Sequence, residues 1–202
     1  RDINLEIDSG SFMSFVGPSG SGKTTILNLI GGLDVPTAGN IFFQNTKLSS
    51  MNRNQMAQYR RKNIGFIFQT YNLFPVYSVY ENILFPLLLN GSKEKDVRER
   101  VMNIINKVGL SDQVKKRPSQ LSGGQCQRVA IARALVKDPL LILADEPTAN
   151  LDSKNSLQIL ELMSELNKQY KAAVVFSTHD EKVTRYVRRE VGLEDGKIIS
   201  DK

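Results

Sequence analysis

The chain contains almost none of the residues that build disulfides or zinc sites. It has one cysteine, Cys126, and one histidine, His179, in 202 residues. A single cysteine excludes an internal disulfide, and the sequence holds no Cys/His cluster of the kind that binds zinc. We interpret Cys126 as a small helical residue, because no second cysteine could resolve an oxidised one. This cysteine usage predicts a reducing, cytoplasmic compartment.

Long apolar runs are also missing. No run reaches the roughly 18 residues that a membrane-spanning helix needs. The longest candidates, Ile83–Leu89 and Leu140–Ala144, are interrupted or short. The first residues, Arg1–Asn4, lack the apolar core of a signal peptide. Any role at a membrane is therefore expected to be that of a peripheral partner on its cytoplasmic face.

Basic residues outnumber acidic ones only slightly. There are 27 Lys and Arg against 21 Asp and Glu, a formal net charge of +6. Such an excess is compatible with binding to nucleic acid or to an anionic membrane surface. The charges are dispersed, however, through stretches such as Lys93–Arg100, where acids are mixed in, and Lys182–Arg189, which Glu181 and Glu190 flank. We interpret them as solvated helix faces and expect no nucleic-acid partner.

The apolar residues that are present fall into an alternating strand and helix pattern. Ile3, Leu5 and Ile7 alternate with polar residues and predict an opening strand. Further strands are predicted at Phe12–Val16, Gly39–Gln44, Ile64–Phe68, Leu140–Ala144 and Ala173–Ser177, and helices at Thr24–Ile30 and Ser153–Gln169. This alternation is typical of a parallel sheet covered by helices.

A mostly helical block interrupts the pattern between about residues 71 and 137. Apolar side chains at helical spacing predict an amphipathic helix over Asp96–Val108, and a second helix should run from about Gly124 to Val136. Asp195-Gly196 between two apolar runs predicts a β-hairpin. We therefore predict a single α/β domain over residues 1–202. It would have a parallel-sheet core of the P-loop NTPase type, an antiparallel β portion, and a helical subdomain inserted at about residues 71–137.

A complete phosphate-binding loop follows the predicted strand Phe12–Val16. It matches the pattern G-x-x-x-x-G-K-[ST] and consists of Gly17, Pro18, Ser19, Gly20, Ser21, Gly22, Lys23 and Thr24, with Thr25 next in the helix. Glycines let backbone amides approach phosphate oxygens, and the following helix points its positive end at the same anion. Lys23 is predicted to reach the β- and γ-phosphates of a nucleotide, and Thr24 to ligate Mg²⁺.

Two acids follow the apolar strand Leu140–Ala144. Asp145 stands where a buried carboxylate can hold the metal, often through water. Glu146, one residue further, can accept a proton from water that attacks the γ-phosphate, or can orient that water. A helix-capping or surface carboxylate is the alternative for Glu146. The sequence that follows, Pro147 and Asn150–Asp152, weighs against this alternative.

A serine-diglycine segment, Ser122-Gly123-Gly124-Gln125, precedes the second predicted helix. By itself it has the composition of an ordinary helix N-cap. An N-cap with free amides is also a site for anions. Because the glycine loop of the same subunit already surrounds the phosphates, a second anion site suggests a second subunit.

Together these motifs resemble the ATP-binding cassette (ABC) ATPases, in the family's order and over essentially the whole chain. The resemblance implies that ATP and Mg²⁺ are bound by a homodimer. Its two subunits would pack head to tail, so that Ser122, Gly123, Gly124 and Gln125 of each close over the ATP of the other.

The resemblance also gives roles to two polar residues that follow predicted strands. His179, in Ser177–Asp180, stands where functional residues lie in parallel sheets and matches the switch histidine that contacts the γ-phosphate. Gln69 matches the glutamine that senses metal and water, and so joins Thr24 and Asp145 as an expected metal ligand. Taken alone, Gln69 has no interpretation.

Three segments are similar to the lipoprotein-releasing, macrolide-exporting and cell-division branch of the family: Asn63–Gln69, Asn72–Pro75 and Glu81–Leu87. The amino-terminal end departs from the family. ABC subunits normally begin with another strand and an aromatic residue that stacks on adenine, whereas this sequence begins at Arg1 in what resembles the second strand. We therefore expect a truncated chain that lacks the first strand.

The function that the resemblance implies is ATP hydrolysis coupled to transport through transmembrane permease subunits. A non-transporting regulator or mechanical clamp of a membrane protein is the first alternative. The second is a soluble relative that acts on DNA or ribosomes. Such relatives carry long coiled coils, zinc modules or a second cassette, and this sequence contains none of these. The cargo is not predicted, because cargo contacts would lie in the partner.

Overall fold

The computed structural model describes residues 2–179 and 186–202, so Asp180 lies outside the described part. Its main sheet contains β1 (Phe12–Val16), β4 (Ile64–Ile67), β5 (Leu141–Asp145), β6 (Ala173–Thr178), β7 (Arg189–Glu194) and β8 (Lys197–Asp201). These six strands lie in the order β4-β5-β6-β1-β7-β8. A separate ribbon pairs β2 (Phe42–Phe43) with β3 (Thr46–Lys47).

The main sheet is parallel from β4 to β7. Only the β7–β8 hairpin is antiparallel, and it turns at Asp195-Gly196, where both residues have the positive φ of a two-residue hairpin loop. The predicted fold class is therefore confirmed. The register pairs Val16 with Thr178 and Asp145 with Ser177. Because the strands are parallel, their carboxyl ends meet at one edge, where sites form in such sheets.

Six α-helices are described along the chain: α1 (Lys23–Ile30), α2 (Arg53–Asn63), α3 (Val79–Leu89), α4 (Glu94–Lys107), α5 (Gly123–Leu135) and α6 (Ser153–Tyr170). The predicted helices 96–108 and 124–136 agree with α4 and α5 to within two residues. Three short 3₁₀ turns lie at Leu48–Ser50, Ser111–Gln113 and Pro118–Gln120. None of the described helices is long and apolar enough to cross a membrane.

Successive strand residues enter two separate hydrophobic clusters. Phe12 and Val174 belong to a cluster with α3, α4, α5 and α6, whereas Met13 and Val175 pack with Ile26 of α1. Helices thus cover both faces of the sheet, which is why its strands read as continuous apolar runs. Helices α3 to α5 occupy the predicted helical block and share one core with α6 and the sheet. A separate subdomain at about residues 71–137 stays a prediction.

Two predicted strands differ from the structure. No strand forms over Ile3–Ile7, where that prediction was wrong. Leu5 and Ile7 are half-buried against the second cluster, so the alternating pattern correctly indicates which side chains are buried. No described strand, however, pairs with this segment. A strand needs a neighbour as well as an apolar face. The strand predicted at Gly39–Gln44 is reduced to the two residues of β2.

Candidate functional site

The phosphate-binding loop connects β1 to α1 as predicted. Gly20 and Gly22 have φ of 80° and 101°, a backbone conformation that glycine adopts without strain. Gly22 caps α1 without a side-chain hydrogen bond, which leaves the first amides of the helix to other partners. The hydroxyl of Ser21 is buried and has no hydrogen-bond partner. An orphaned hydroxyl and a helix start in one loop fit a phosphate group.

Lys23 is held within this loop. It is buried, and its Nζ donates to Gly17 O at 2.7 Å and to Pro18 O at 2.8 Å. Both acceptors are backbone carbonyls of the same loop, so the ammonium is kept beside the amides that follow. This places a positive charge where the sequence predicts contact with the β- and γ-phosphates.

The loop packs directly against the β7–β8 hairpin. A Cβ atom on Gly17 would lie 2.1 Å from Leu193 O, a backbone atom that cannot rotate away. A Cβ on Gly20 would meet nothing within 4 Å. We expect Gly17→Ala to lower the melting temperature several degrees more than Gly20→Ala does, because overpacking costs about 1–3 kcal/mol in addition to any backbone strain.

The measurement is thermal unfolding of both variants without nucleotide. Gly20→Ala serves as the matched control, since it introduces the same methyl group into the same loop without the collision. Equal melting temperatures for the two variants would contradict the close approach of Gly17 to Leu193.

Asp145, at the carboxyl end of β5, is hydrogen-bonded to the first turn of α1 and to the end of β6. Thr24 Oγ1 donates to its carboxylate, 3.0 Å from both Oδ1 and Oδ2. Ser177 Oγ, on the neighbouring strand β6, donates to Asp145 Oδ1 at 2.6 Å and accepts from the Glu146 amide at 2.9 Å. The predicted pair Thr24 and Asp145 is thus brought together. Ser177 is a bridging residue that sequence reasoning did not identify.

The oxygens of Thr24 and Asp145 fit a hard divalent cation. Mg²⁺ prefers oxygen ligands, keeps several waters and is usually held by one or two carboxylates together with substrate phosphates. In the described part of the chain, no three His, Cys, Asp or Glu side chains cluster around a possible metal. The donor set therefore suits Mg²⁺ that is shared with a nucleotide, rather than a closed protein site.

Glu146 and His179 form a second pair beside Asp145. His179 Nδ1 lies 3.0 Å from Glu146 Oε1, and the histidine side chain is exposed whereas that of Glu146 is half-buried. Glu146 itself has φ of 44°, a left-handed backbone that is uncommon for a residue with a side chain. Such strain often marks functional positions. The sequence predicted both residues but could not predict that they touch.

A cavity of about 200 Å³ opens beside this pair. Glu146 and His179 line one part of it, and hydroxyls of Thr148, Ser153 and Ser156 line another. Leu157 and Leu160 of α6 add an apolar wall. Glu146 therefore borders a space that is large enough for several water molecules.

Gln69 follows β4 and is exposed. Its backbone carbonyl accepts a hydrogen bond from Asn150 Nδ2 at 2.8 Å. Asn150 lies in the loop that leads from Glu146 to α6, so the segments of Gln69 and Glu146 are physically joined. That link was missed by sequence reasoning, because a lone asparagine in a loop carries no distinguishing pattern.

The serine-diglycine segment forms the amino terminus of α5. Ser122 Oγ accepts from the Gln125 amide at 3.3 Å, and Gln125 Oε1 accepts from the Ser122 amide at 2.9 Å, a reciprocal capping box. A Cβ on Gly123 would lie 3.0 Å from the Tyr71 hydroxyl, and one on Gly124 would lie 3.2 Å from Asn155 Oδ1. The segment thus lies against the region after Gln69 and the start of α6, while Ser122 and Gly123 are exposed.

Cys126 lies one turn into α5 and is buried. Burial raises the pKa of its thiol, so the thiol stays protonated at neutral pH. Burial likewise raises the pKa of the neighbouring Tyr71, with a smaller contribution from Cys126. Both groups are therefore neutral, which agrees with a structural rather than a redox role for Cys126.

Comparison with known proteins gives a consistent family. Residues 1–149 match the family model described as "ABC transporter". The chain is 43% identical over 200 residues to the lipoprotein-releasing system ATP-binding protein LolD of Legionella pneumophila (strain Lens), covering 99% of this chain and 88% of that protein. It is 44% identical over 201 residues to the uncharacterized ABC transporter ATP-binding protein YvrO of Bacillus subtilis (strain 168), covering 100% and 87%.

Solved structures agree with the sequence relatives. A dimeric post-hydrolysis state of the ATP-binding cassette MJ0796, bound to ADP and Pi, superposes with a TM-score of 0.90 at 41% identity, covering 99% of this chain and 88% of that one. CbiO1 from Clostridium perfringens, part of the ABC transporter complex cbiONQ, has a TM-score of 0.90 at 31% identity, covering 98% and 79%. The fold, the phosphate-binding loop and these likenesses agree, and the chain belongs to the ABC transporter family as an ATP-binding, ATP-hydrolysing subunit.

Proposed function

We propose that this subunit hydrolyses ATP with Mg²⁺ through Glu146 and drives a transmembrane permease as a head-to-tail homodimer. The observation that carries the proposal is the connected set at the carboxyl edge of the sheet. In it, Asp145 is bonded to Thr24 and Ser177, and Glu146 contacts His179 at 3.0 Å. The test is ATP hydrolysis by the Glu146→Gln variant, which must lose turnover while it still binds ATP.

The residues divide the reaction between them. The loop amides and Lys23 bind the phosphates, and Glu146 accepts the proton of a water whose oxygen forms a bond to the γ-phosphorus as the bond to the β-phosphate oxygen breaks. His179 contacts the γ-phosphate and also holds the Glu146 carboxylate in place, and Gln69 orients the water or the metal. Positioned proton transfer of this kind contributes about 10²- to 10⁴-fold in rate.

Mg²⁺ would be held by Thr24 and Asp145, with Gln69 as a further ligand. When bound, it would neutralise charge on the β- and γ-phosphate oxygens. Ser177 contributes by fixing the orientation of the Asp145 carboxylate, because an oriented second layer tunes the ligands of a metal.

The position of Ser122–Gln125 supports the proposed head-to-tail dimer. The start of α5 is exposed at Ser122 and Gly123, and it lies against Tyr71 and Asn155. Because the glycine loop of the same subunit is the site for the phosphates of one ATP, an exposed anion-binding helix start suits the ATP of a second copy. MJ0796, which is 41% identical, forms a dimer with ADP and Pi. We therefore assign Ser122, Gly123, Gly124 and Gln125 to the partner's nucleotide.

The permease would bind the segment after Gln69. Phe74 and Val76 are exposed, 38% and 67%, and the Phe74 ring packs on Tyr77 and Phe85. An exposed apolar patch of this kind marks interaction sites. Coupling to a permease places the subunit at the cytoplasmic face of a membrane. A non-transporting regulator shares the same site chemistry, and no observation favours it.

Phe74→Ala is expected to uncouple the subunit from its permease. Basal hydrolysis should change by less than about twofold, while permease association weakens by about tenfold, since losing an anchor ring at an interface costs 1 kcal/mol or more. The measurement is co-purification and permease-stimulated hydrolysis. Ile199→Ala, an exposed apolar residue on β8, is the matched control and should bind normally.

The competing explanation is that these residues form a packed corner of the helical block. Tyr71→Ala tests it, because the Tyr71 hydroxyl lies close to Gly123 and the ring is half-buried. If either variant binds ATP poorly and also has a lower melting temperature, the packed-corner explanation is favoured. Normal permease binding by Phe74→Ala would place the docking site elsewhere.

A further inference from the structure

Arg133 connects α5 to the segment that follows Gln69. It lies on the third turn of α5, and its guanidinium donates to Tyr71 O at 2.7 Å and also to Asn72 O. The side chain is partly buried, and burial lowers its pKa without neutralising a guanidinium. One planar cation thus bonds two consecutive backbone carbonyls, which lie two and three residues after Gln69.

The backbone that receives these hydrogen bonds is unusual. Tyr71 and Asn72 have φ of 61° and 47°, so two successive residues with side chains adopt the left-handed region. This region is unfavourable for residues with a Cβ atom in the absence of compensation, less so for Asn than for Tyr. Strain of this kind persists only where the surroundings hold it. The two hydrogen bonds from the charged guanidinium of Arg133 stabilise this backbone conformation.

The same helix is fixed to the strand before Gln69. Lys137, just after α5, donates to Arg60 O at 3.1 Å and to Arg61 O at 2.9 Å, at the end of α2 that leads into β4. In the middle, a Cβ on Gly65 would lie 2.9 Å from Ala134 O, so β4 and α5 are in backbone contact. Helix α5 and the residues just after it therefore contact the end of α2, the centre of β4 and the turn that follows Gln69.

The other end of α5 is the serine-diglycine segment. We propose that Arg133 is a positioning residue that sets Gln69 at a fixed distance from Ser122–Gln125, so that the two move as one body. The proposal rests on the role given above to Gln69 in hydrolysis. Arg133 is not among the residues that we assign to the nucleotide or to the metal. It acts by holding the backbone turn at Tyr71 and Asn72, on which the placement of Gln69 depends.

Arg133→Lys tests the proposal while retaining the positive charge. An ammonium on a flexible stem lacks the planar fork that bonds two carbonyls at once. We expect kcat to fall roughly tenfold or more, because small displacements of a positioning group carry costs of that size. The KM for ATP should stay within about twofold, since Lys23 and the glycine loop are untouched.

Arg128→Lys is the matched control. Arg128 lies on the same helix and donates to a single backbone carbonyl, Val108 O at 3.0 Å, outside the site. Both variants replace an arginine on α5 by lysine, so a general effect on the helix appears in both. The control should keep kcat within about twofold. If Arg133→Lys has a lower melting temperature than the control and also loses ATP binding, the role of Arg133 is merely structural. That result would overturn the proposal.

A double-mutant cycle with Gln69→Ala distinguishes action through Gln69 from an independent effect. If Arg133 acts through Gln69, adding Arg133→Lys to Gln69→Ala lowers kcat little further. If the two fold-losses multiply, or if Gln69→Ala alone slows hydrolysis while Arg133→Lys does not, the proposal is overturned and the role of Gln69 stands. If Gln69→Ala leaves hydrolysis unchanged, the role assigned to Gln69 fails, and the proposal falls with it.

Discussion

Glu146→Gln is expected to bind ATP normally and to hydrolyse it at least about 100-fold more slowly than the unmodified subunit. The amide has nearly the same shape as the carboxylate, so the contact with His179 and the left-handed turn at residue 146 can persist. It cannot accept the proton of the attacking water, and that contribution is worth about 10²- to 10⁴-fold. Because ATP is bound and not consumed, a dimer closed around ATP should accumulate.

The measurements are phosphate release and size-exclusion chromatography in the presence of ATP and Mg²⁺. Glu165→Gln is the matched control, since Glu165 is an exposed carboxylate on α6 and its loss should leave turnover unchanged. Unmodified turnover by Glu146→Gln would remove Glu146 from catalysis. Loss of both hydrolysis and ATP binding would mean that the substitution damages the pocket.

Mixing two inactive variants is expected to restore activity. Lys23→Ala loses engagement of the β- and γ-phosphates, and Gly124→Gln places a bulky side chain at the start of α5. If Ser122–Gln125 act on the partner's ATP, a mixed dimer contains one composite site with both lesions and one with neither. An equal mixture should then regain up to roughly a quarter of normal turnover, because half of randomly formed dimers are mixed and each has one intact site.

The Gly124→Gln variant should remain folded, since the nearest atom to a Cβ there is the side-chain oxygen of Asn155, 3.2 Å away and able to rotate. Thermal unfolding of each variant checks this before mixing. Two sites that are strictly coupled would show no recovery even though the dimer forms. If Gly124→Gln slows hydrolysis by an isolated monomer as much as it slows hydrolysis by the dimer, Ser122–Gln125 would instead act on the ATP of their own subunit.

The parts of the site that were predicted from sequence are those encoded by short contiguous patterns. The glycine loop, Asp145 and Glu146 follow apolar strands, and the parallel order of those strands brings their ends together. The relations between distant residues were not predictable in this way. Ser177 bridges Asp145 and the Glu146 amide across two strands, and its identity as a buried serine at a strand end carries no mark of that role.

The fold shows the same division. Strands β1, β5 and β6 were predicted because each is a mainly apolar run, as expected for a strand that is buried on both faces. Helix α2 was not predicted, because none of its residues is buried and its sequence has no apolar period. Its start is instead fixed by a local capping box between Asn52 and Gln55. A pattern search for apolar faces cannot detect a helix that is held by its ends.

Asn82 gives the proposed docking segment a further property. This buried side chain accepts from the Phe74 amide at 2.8 Å and donates to the carbonyls of Phe74, Tyr77 and Ser78. The segment is therefore ordered by the fold itself, and its conformational entropy is already lost before a partner arrives. Binding to such a preorganised surface avoids an ordering cost of about 0.5–1.5 kcal/mol for each immobilised side chain. A permease could thus stay attached through successive cycles of hydrolysis without the segment folding anew each time.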